Sequence, residues 1–418
     1  MACHIKPLAI SALSVALLIP ASLRADNNKN ISKNDRPAKI LVCSALFMAL
    51  GEIAEPGAKQ VLIKGIKSND FFIRAYAAEA LGRLKDRSVV PALNDLKKDK
   101  NYLVKINALG ALIELGESQQ TGELLDLLND KDPIIRIHAA SKLRGIEDKY
   151  LPKILEIYLK EKNPLVEKNL IYEFAARRFK PALPCIRKAL EDKDASLRQS
   201  ACFALGEFSD PADKDILKKR LYDEDFGVRM EAKKSLGIIV AASQKKDSAL
   251  SRILWKDVLS NDPALKSGAY LALARLKDIK VLPYLIKDVV SLDSPGFSRQ
   301  EAASALVILK PYISELAARC LKAGTPLLSD NTAIVYKYKD EALSVLIARA
   351  LRDTDNPLHK EAPHLLRIFN EDNAIFLLRE GLYGDNPEVV AGCAHALGAF
   401  HDKGSVKYLI DICRKYGF

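Results

Sequence analysis

The side chains with the greatest potential for chemistry are histidines and cysteines, which bind metals and transfer protons. After residue 25 the histidines are His138, His359, His364, His395 and His401. None has the HExxH spacing of a zinc hydrolase, and none stands beside a glutamate. The densest group is Cys393, His395, His401 and Cys413, but residues 393 and 395 lie on different faces of one helix, which does not suit a shared metal ion. Because a Gly-rich phosphate loop and a G-x-S-x-G motif are also missing, the sequence predicts neither catalytic residues nor a cofactor.

Seven basic side chains recur at one position of an internal repeat and form a second candidate site. Stacked units would align them into a row of positive charge, a pattern that binds nucleic-acid phosphates. Each also follows a helix-start position by four residues, within reach of a carboxylate there or on a neighbouring unit. We therefore expect a structural ladder, formed by Arg74, Lys105, Arg136, Arg198, Arg229, Lys266 and Arg299.

The repeat itself has a period of 31 residues in most of its steps. Its clearest copy is residues 194–206, which combine a helix-start residue at Asp194, a basic residue at Arg198 and an apolar stripe at helical spacing. A fixed period of this kind is the signature of a repeat array. The apolar residue equivalent to Leu205, called the anchor below, is found at Leu50, Leu81, Leu112, Leu143, Phe174, Leu205, Leu236, Leu273, Leu306, Val335, Leu366 and Leu397.

Each unit is predicted to be a pair of antiparallel helices. Eleven residues before the anchor, nine of the twelve units have Asp or Asn, which are preferred N-cap residues. The first helix therefore begins there and ends just past the anchor, with small inward residues such as Ala77 and Ala78. After a short turn a second helix follows, opened in three units by a proline: Pro91, Pro184 and Pro283. The predicted fold is all-α, an α-solenoid superhelix of about twelve helical hairpins.

The chain is predicted to start with an export signal. Residues 1–25 contain Lys6, an apolar run from Leu8 to Ile19 and a break at Pro20, before an acceptable cleavage site ahead of Asp26. The run is shorter than the ~20 residues needed to span a bilayer. We expect an exported protein, periplasmic or secreted, with a retained anchor as the alternative. The remaining predicted parts are a polar, disordered tail at 26–37, an N-terminal array at 38–290 and a C-terminal array at 291–418, with an irregular joint at 291–335.

The phrase Asp-x-x-x-Arg-x-x-Ala-Ala-x-Ala-Leu-Gly, seen at 70–82 and again at 194–206, resembles the HEAT-like repeat named after phycobilisome lyases. The resemblance covers residues 38–418 and implies an armadillo-type superhelix that serves as a scaffold, an adaptor or, in a few cases, an enzyme. HEAT-repeat di-iron hydroxylases carry His-Glu pairs, which this sequence lacks. A lyase-like chaperone would hold a tetrapyrrole (bilin), and a HEAT DNA glycosylase would need a basic groove. The predicted export signal argues against both, and they remain the alternatives.

Net charge and cysteine content give little information about the chemical class of the binding partner. The formal net charge is +11, and residues 1–25 contain Lys6 and Arg24 but no acid, so the exported chain would carry +9. Such a surface favours acidic surfaces or ligands, although the scattered charges are also typical of plain solubility. The cysteine spacing shows no dense disulfide framework, and the pairs that could bridge neighbouring helices are Cys393 with Cys413 and Cys185 with Cys202.

Second-helix surfaces are expected to line the concave side of the array and so to form the default binding face. They mix charges of both signs with tyrosines, which suit protein contacts, although an ordinary solvated face is the alternative. The candidate partner-binding residues are Tyr158, Arg187, Tyr222, Trp255, Tyr284, Arg349 and Arg352. The sequence thus predicts an exported, non-enzymatic scaffold that binds a protein partner and no nucleic acid.

Overall fold

The computed structural model describes residues 36–244, 247–290, 295, 297–309, 350–354, 359–360, 362–369 and 374–418. The predicted export signal and most of the predicted joint at 291–335 lie outside these residues. Within them the chain is all α, without a β strand. None of the described helices is both long and apolar enough to cross a membrane.

The helices alternate between two layers, as predicted. The first helices of the units are α1 (Arg36–Ile53), α3 (Phe71–Arg83), α5 (Tyr102–Glu114), α7 (Pro133–Ala140), α9 (Pro164–Ala176), α11 (Ala195–Phe208), α13 (Phe226–Ser243), α15 (Pro263–Lys266) with α16 (Ala269–Arg275), α18 (297–309), α19 (Ala362–Phe369) and α21 (Pro387–Ala399). The second helices are α2 (Lys59–Gly65), α4 (Val90–Leu96), α6 (Thr121–Leu127), α8 (Leu151–Tyr158), α10 (Leu183–Ala189), α12 (Lys214–Lys219), α14 (Ser248–Val258), α17 (Leu282–Val290), α20 (Ala374–Gly381) and α22 (Val406–Lys415).

The predicted N-caps are confirmed in every unit where the cap residue is described. In the second unit, Asp70 has extended backbone geometry and its Oδ1 accepts a hydrogen bond from the backbone N–H of Phe72 at 2.9 Å. This contact satisfies one of the orphan amides of the first turn. The same role is taken by Asn101, Asp132, Asn163, Asp194, Asp225, Asp262 and Asn386, whereas Asp355 lies outside the described residues.

The core lies between the two layers and is centred on the anchors. Leu50, Leu81, Phe174 and Leu205 are fully buried. The residue four positions after the anchor often takes a left-handed conformation that ends the first helix and turns the chain toward the second. This residue is Ala54, Lys85, Gly116, Arg178, Ser209, Lys277 and His401 in the respective units.

The step between the anchors Leu236 and Leu273 is 37 residues, six more than the period of 31, and the six extra residues around 241–248 lengthen one unit rather than adding a new element. Its first helix, α13, has 18 residues, against 14 in α11. Its second helix, α14, has 11 residues, against 6 in α12. The insertion therefore makes this hairpin taller than its neighbours.

Consecutive first helices are joined by a contact between small residues. A Cβ added to Gly82, the residue after the anchor, would lie 2.6 Å from Cα of Ala111 on the next first helix. A Cβ on Gly237 would likewise lie 2.7 Å from Cα of Ala272. Real Cβ atoms do not approach this closely, so glycine is what allows the two backbones to meet. We call this contact the glycine joint.

The same joint closes the chain on itself. Helix α21 packs along α1, and α22 also contacts α1, so the last unit lies against the first. A Cβ on Gly398 would lie 2.8 Å from Cα of Ala49, which places α1 where the next unit of the array would be. The sequence predicted a superhelix, and the structure shows that its ends meet. We call the contact of α1 with α21 and α22 the seam.

Side chains on both ends reinforce the seam. Nζ of Lys403 lies 2.7 Å from Oε1 of Glu55. The rings of Phe47 and Phe418 pack edge to face with centroids 5.5 Å apart. An aromatic pair of this kind adds about 1 kcal/mol beyond the burial of its area. The seam thus combines backbone approach, an ion pair and an aromatic contact.

The predicted ladder residues hold each unit to the one before it. Arg74 donates two hydrogen bonds to Asp99, at 2.8 and 3.1 Å, and two more to the backbone carbonyls of Ser68 and Asn69, at 2.9 and 3.1 Å. The carboxylate comes from the end of the second helix of the same unit, and the carbonyls come from the end of the preceding unit. The partner is therefore 25 residues further along the chain rather than at the helix start.

Two other arginines repeat the arrangement closely. Arg136 pairs with Glu161 and Arg198 pairs with Asp223, in each case with both carboxylate oxygens. Arg229 keeps only the carbonyl contacts, at 2.7 and 2.8 Å. Nζ of Lys266 lies 3.7 Å from a carboxylate oxygen of Asp288. Lys105 has no ion pair within the described residues. Arg299 is buried. The guanidinium groups are thus occupied by protein atoms rather than presented to a ligand.

The seam can be tested by a glycine-to-alanine substitution that should destabilise the protein if the seam is closed and stabilise it if the seam is open. In an exposed helix, replacing Gly with Ala stabilises by up to about 1 kcal/mol. Because a Cβ at Gly398 meets the backbone of Ala49, we expect Gly398→Ala to destabilise instead, by about 1–3 kcal/mol. The urea midpoint and melting temperature measure this. Gly57→Ala is the control, since nothing lies within 4 Å of its added Cβ, and a stabilised Gly398→Ala protein would show that the seam is open.

The ladder can be tested with two arginines of different burial. The Arg198 and Asp223 side chains are only 6% and 3% exposed. Removal of one partner of such a pair leaves a buried charge, so Arg198→Ala should cost about 3 kcal/mol of unfolding free energy. Arg352→Ala removes an exposed pair with Glu380 and should cost less than about 1 kcal/mol. Equal losses in urea titrations would contradict the structural role of the ladder.

Candidate functional site

The inner face of the array is built by the first helices. Consecutive first helices pack directly on each other, in several units through a glycine joint, whereas neighbouring second helices of the described units are not packed in the same way. The layer with the closer spacing must lie on the inside of a curved array. The prediction that second helices line the concave side is therefore wrong, because the small residues of the first helices bring that layer closer together.

Ion pairs that skip a unit confirm this curvature. Nζ of Lys142 on the fourth unit lies 2.6 Å from Oε2 of Glu79 on the second. Gly110, on the first helix between them, has no side chain in the way, and its added Cβ would lie 3.1 Å from Cβ of Lys142. Lys234 and Glu301 form another pair across two units. Two side chains on a flat or convex surface would not reach each other over that separation.

The first inner cluster is held together by ion pairs. Arg83 binds Glu52 of the preceding unit at 2.8 Å and Glu79 at 2.9 Å. Burial alone would raise the pKa of Glu79, but Lys142 and Arg83 outweigh it and hold the pKa at about 2. The carboxylate is therefore ionised at neutral pH and links the second unit to the fourth, while Arg83 links the second unit to the first. This arrangement stabilises the curvature of the array and leaves no free acid or base for chemistry.

The second inner cluster surrounds the break between α15 and α16. Gly268 has φ of +79°, and its backbone N–H donates to Oε2 of Glu301 at 2.5 Å. Burial raises the pKa of Glu231, which outweighs the charge of the adjacent Lys234. Burial also lowers the pKa of Arg275, whose guanidinium donates to the carbonyl of Lys234 at 3.2 Å. Charges in this cluster are less completely compensated than in the first.

The cysteine and histidine group is not brought together. His401 is exposed and its Nδ1 lies 2.8 Å from the carbonyl oxygen of Glu52, whereas Cys393 is buried where other units have alanine. Burial, with the charges of Arg367 and Arg83, lowers the pKa of His395 to about 4, so its ring is neutral at pH 7. In the described part of the chain, no group of three or more His, Cys, Asp or Glu side chains is placed to hold a metal ion.

The described cysteines all carry free thiols, including both pairs considered from the sequence. Burial raises the pKa of the Cys43 thiol to about 12, and it raises that of Cys202 as well. A buried thiol with a raised pKa is not reactive at neutral pH. Cys43, Cys202, Cys393 and Cys413 are buried core residues, Cys185 is half-buried, and Cys320 lies outside the described residues.

The candidate partner-binding residues differ widely in accessibility. Tyr158 is buried and packs edge to face on Phe174, so it is a core residue and not part of a binding surface. Trp255 is half-buried, donates its Nε1 hydrogen to Asp278 at 2.8 Å and packs on Tyr284. These contacts hold α14 against the next unit.

The remaining candidates are more exposed. Arg187 binds Asp213 at 2.6 Å, and the exposed Arg352 binds Glu380 at 2.9 and 2.7 Å. Tyr222 is 77% exposed. Arg349 lies outside the described residues. Of the candidates, Tyr222 is therefore the one with a large unoccupied apolar surface.

Tyr222 belongs to a row of exposed apolar side chains along one rim. Nine large apolar side chains of the described residues are exposed, and eight of them lie where a second helix ends or the following first helix begins. In an antiparallel hairpin these two points are at the same end, so the eight share one rim of the array. They are Tyr102, Ile134, Leu159, Leu165, Tyr222, Leu259, Phe297 and Tyr383, and we call them the apolar rim.

The inner face and the rim were not identified from the sequence, although a signal for the inner face was present. Residues two positions before the anchor vary from unit to unit, as in Glu79, Gly110, Tyr172, Lys234 and His395, while most of their neighbours are small or apolar. A repeat position whose residue type varies while the neighbouring positions stay small or apolar is one that does not pack between the two helix layers. The rim residues are scattered in type, and only the antiparallel arrangement brings them to one edge.

Comparison with known proteins agrees with this architecture. Residues 38–101 and 151–237 match the model of the HEAT repeats family. Over 254 residues the chain is 26% identical to deoxyhypusine hydroxylase of Drosophila pseudoobscura pseudoobscura. The aligned region covers 55% of this chain and 74% of that protein.

Two solved structures are also similar to this chain. The Escherichia coli protein YibA is 20% identical, with a TM-score of 0.39, and the match covers 60% of this chain and 91% of that one. The complex of CpcE and CpcF of phycocyanin lyase from Nostoc sp. PCC7120 is 18% identical, with a TM-score of 0.32, and covers 68% and 94%. Residues 38–101 and 151–237 are therefore similar to HEAT repeats, and the stacked helical hairpins of the described residues agree with that match.

Proposed function

We propose that this chain is an exported, non-enzymatic scaffold that binds a protein partner along the apolar rim. The observation that carries the proposal is the asymmetry of exposed apolar surface, since eight of nine exposed large apolar side chains in the described residues share one rim. Scattered apolar residues on a surface are ordinary, whereas a row at one edge marks an interaction site. HEAT arrays often mediate protein binding, and their extended surfaces suit it.

The rim offers suitable anchors for such a partner. Tyr222, Leu259 and Leu159 are each more than 60% exposed. Complete burial of an apolar side chain of this size contributes about 1.5–3 kcal/mol. Tyrosine is also enriched among residues that dominate binding energy. The expected net charge of +9 after signal removal favours a partner with an acidic surface around its apolar contact.

Export rests on the pattern of residues 1–25. A basic residue, a short apolar run and a small-residue cleavage site are together typical of a signal peptide. N-terminal sequencing of the protein recovered from the exported fraction checks this. A chain that begins at Asp26 supports the proposal, and one that retains Met1 in the membrane fraction contradicts it.

The rim is tested by quantitative capture with paired variants. The mature chain, the rim variant Tyr222→Asp/Leu259→Asp and the control Phe376→Asp are each immobilised and exposed to the exported fraction of the source cells. Phe376 is 65% exposed but lies within α20, away from the rim. We expect one partner whose capture survives the control change and falls about a hundredfold in affinity with the rim variant.

Other outcomes of the same experiment identify other functions. A partner protein that binds all three forms equally contradicts the rim as the binding site. A coloured tetrapyrrole that co-purifies with the wild-type chain would favour the bilin-binding alternative. DNA binding that weakens steeply as salt increases would favour the nucleic-acid alternative.

A further inference from the structure

A cavity of about 430 Å³ lies at the seam. It is lined by the start of α1, by residues 64–73 at the end of the first unit, and by Gly417 and Phe418. Its walls come from both ends of the chain, so it exists only when the seam is closed. Its volume lies within the usual range for small-molecule sites, about 300–1,000 Å³.

The cavity carries an excess of positive charge. Among the side chains that line it, Arg36, Lys39, Lys64 and Lys67 are basic and Asp70 is the one acid. Nε of Arg36 lies 2.8 Å from Oδ2 of Asp70, and Oδ1 of Asp70 is occupied as the N-cap of α3. Both carboxylate oxygens of Asp70 thus already have partners, and three lysines line the cavity beside it.

The lysines have no carboxylate partners among the described residues. Nζ of Lys39 lies 5.2 Å from the centre of the Phe418 ring. Lys64 and Lys67 are exposed at the end of the first unit and form no ion pair there. Ammonium groups that line the same cavity repel each other, and an anion between them relieves the repulsion. This arrangement differs from the first inner cluster, where Arg83 and Lys142 are both paired with glutamates.

Neutral groups complete the lining. Oγ of Ser68 accepts from the backbone N–H of Asp70 at 3.2 Å, so its own hydrogen remains able to donate. Ile40, Ile73 and Phe418 supply apolar wall. A ligand that suits these surfaces has at least two anionic groups and a size of several to about twenty heavy atoms.

We propose that this seam cavity binds a small multivalent anion that carries phosphate or carboxylate groups. Because both ends of the chain line the cavity, the ligand stabilises the closed form by binding it and not the open form. Lys64 and Lys67 supply the charge that attracts the anion. Ser68 contributes a neutral hydrogen-bond donor.

The proposal is tested with inorganic pyrophosphate and citrate, which carry the two anion chemistries. Calorimetric titration at constant ionic strength measures affinity, and melting temperature measures the linked stabilisation. We expect at least one of the two to bind the wild-type chain and raise its melting temperature above that in sodium chloride of equal ionic strength. Lys64→Gln/Lys67→Gln should weaken binding by about tenfold or more, because two charge-assisted contacts are lost.

The matched control is Lys98→Gln/Lys160→Gln. These exposed lysines stand at the ends of later second helices and are absent from the cavity lining, so the change in net charge is the same. Equal weakening in both double variants would show general electrostatic attraction and overturn the site. No binding of either anion by the wild-type chain would also overturn it.

A second variant separates the cavity from its lysines. Gly398→Ala changes none of the residues that line the cavity, but its added Cβ clashes with the backbone of Ala49 and should push the seam apart. We expect it to weaken anion binding at least as much as the lysine changes do. Unchanged affinity in this variant would show that the bound anion does not depend on the closed seam. Loss of anion binding leaves the apolar rim intact, so this test is independent of partner capture.

Discussion

The close approach of successive first helices is the constraint on which the rest of the structure depends. A glycine directly after the anchor lets the backbone of one unit meet that of the next, as Gly82 meets Ala111. Second helices stay further apart, so each joint adds curvature in the same direction. Repeated close packing of the described first helices, with a glycine joint in several of the units, brings the last unit back to the first, where Gly398 meets Ala49 in the same way. The closed form of the chain is therefore a consequence of the joint and not of a separate device.

Curvature also decides which surfaces are available for binding. Inner side chains are drawn together until units two apart form ion pairs, as Lys142 and Glu79 do. The inner face is then largely satisfied by its own charges. The ladder arginines occupy the carbonyls and carboxylates between units and are equally committed. Unmatched apolar surface is left at the rim, around Tyr222 and Leu259, and unmatched charge is left at the seam cavity.

Local features of the fold could be predicted from the sequence because they depend on nearby residues. N-caps such as Asp70, the buried anchors and the ladder arginines follow from helix-end chemistry and the period of 31. Curvature could not be predicted, because it depends on the difference in spacing between two layers. The partner of Arg74 was missed because Asp99 is 25 residues away and approaches only when the hairpin forms. Closure depends on residues such as His401 and Glu52, 349 positions apart, which no local pattern connects.

The closed seam is tested most directly by a zero-length carbodiimide cross-link between Lys403 and Glu55, whose charged atoms lie 2.7 Å apart. Lys59 and Asp86, 2.9 Å apart in neighbouring units, provide an internal standard that does not depend on closure. Mass spectrometry of the monomer fraction should find both cross-links in the same molecules. Recovery of the Lys59–Asp86 product without the Lys403–Glu55 product, or of the latter only in dimers, would contradict a chain whose ends meet.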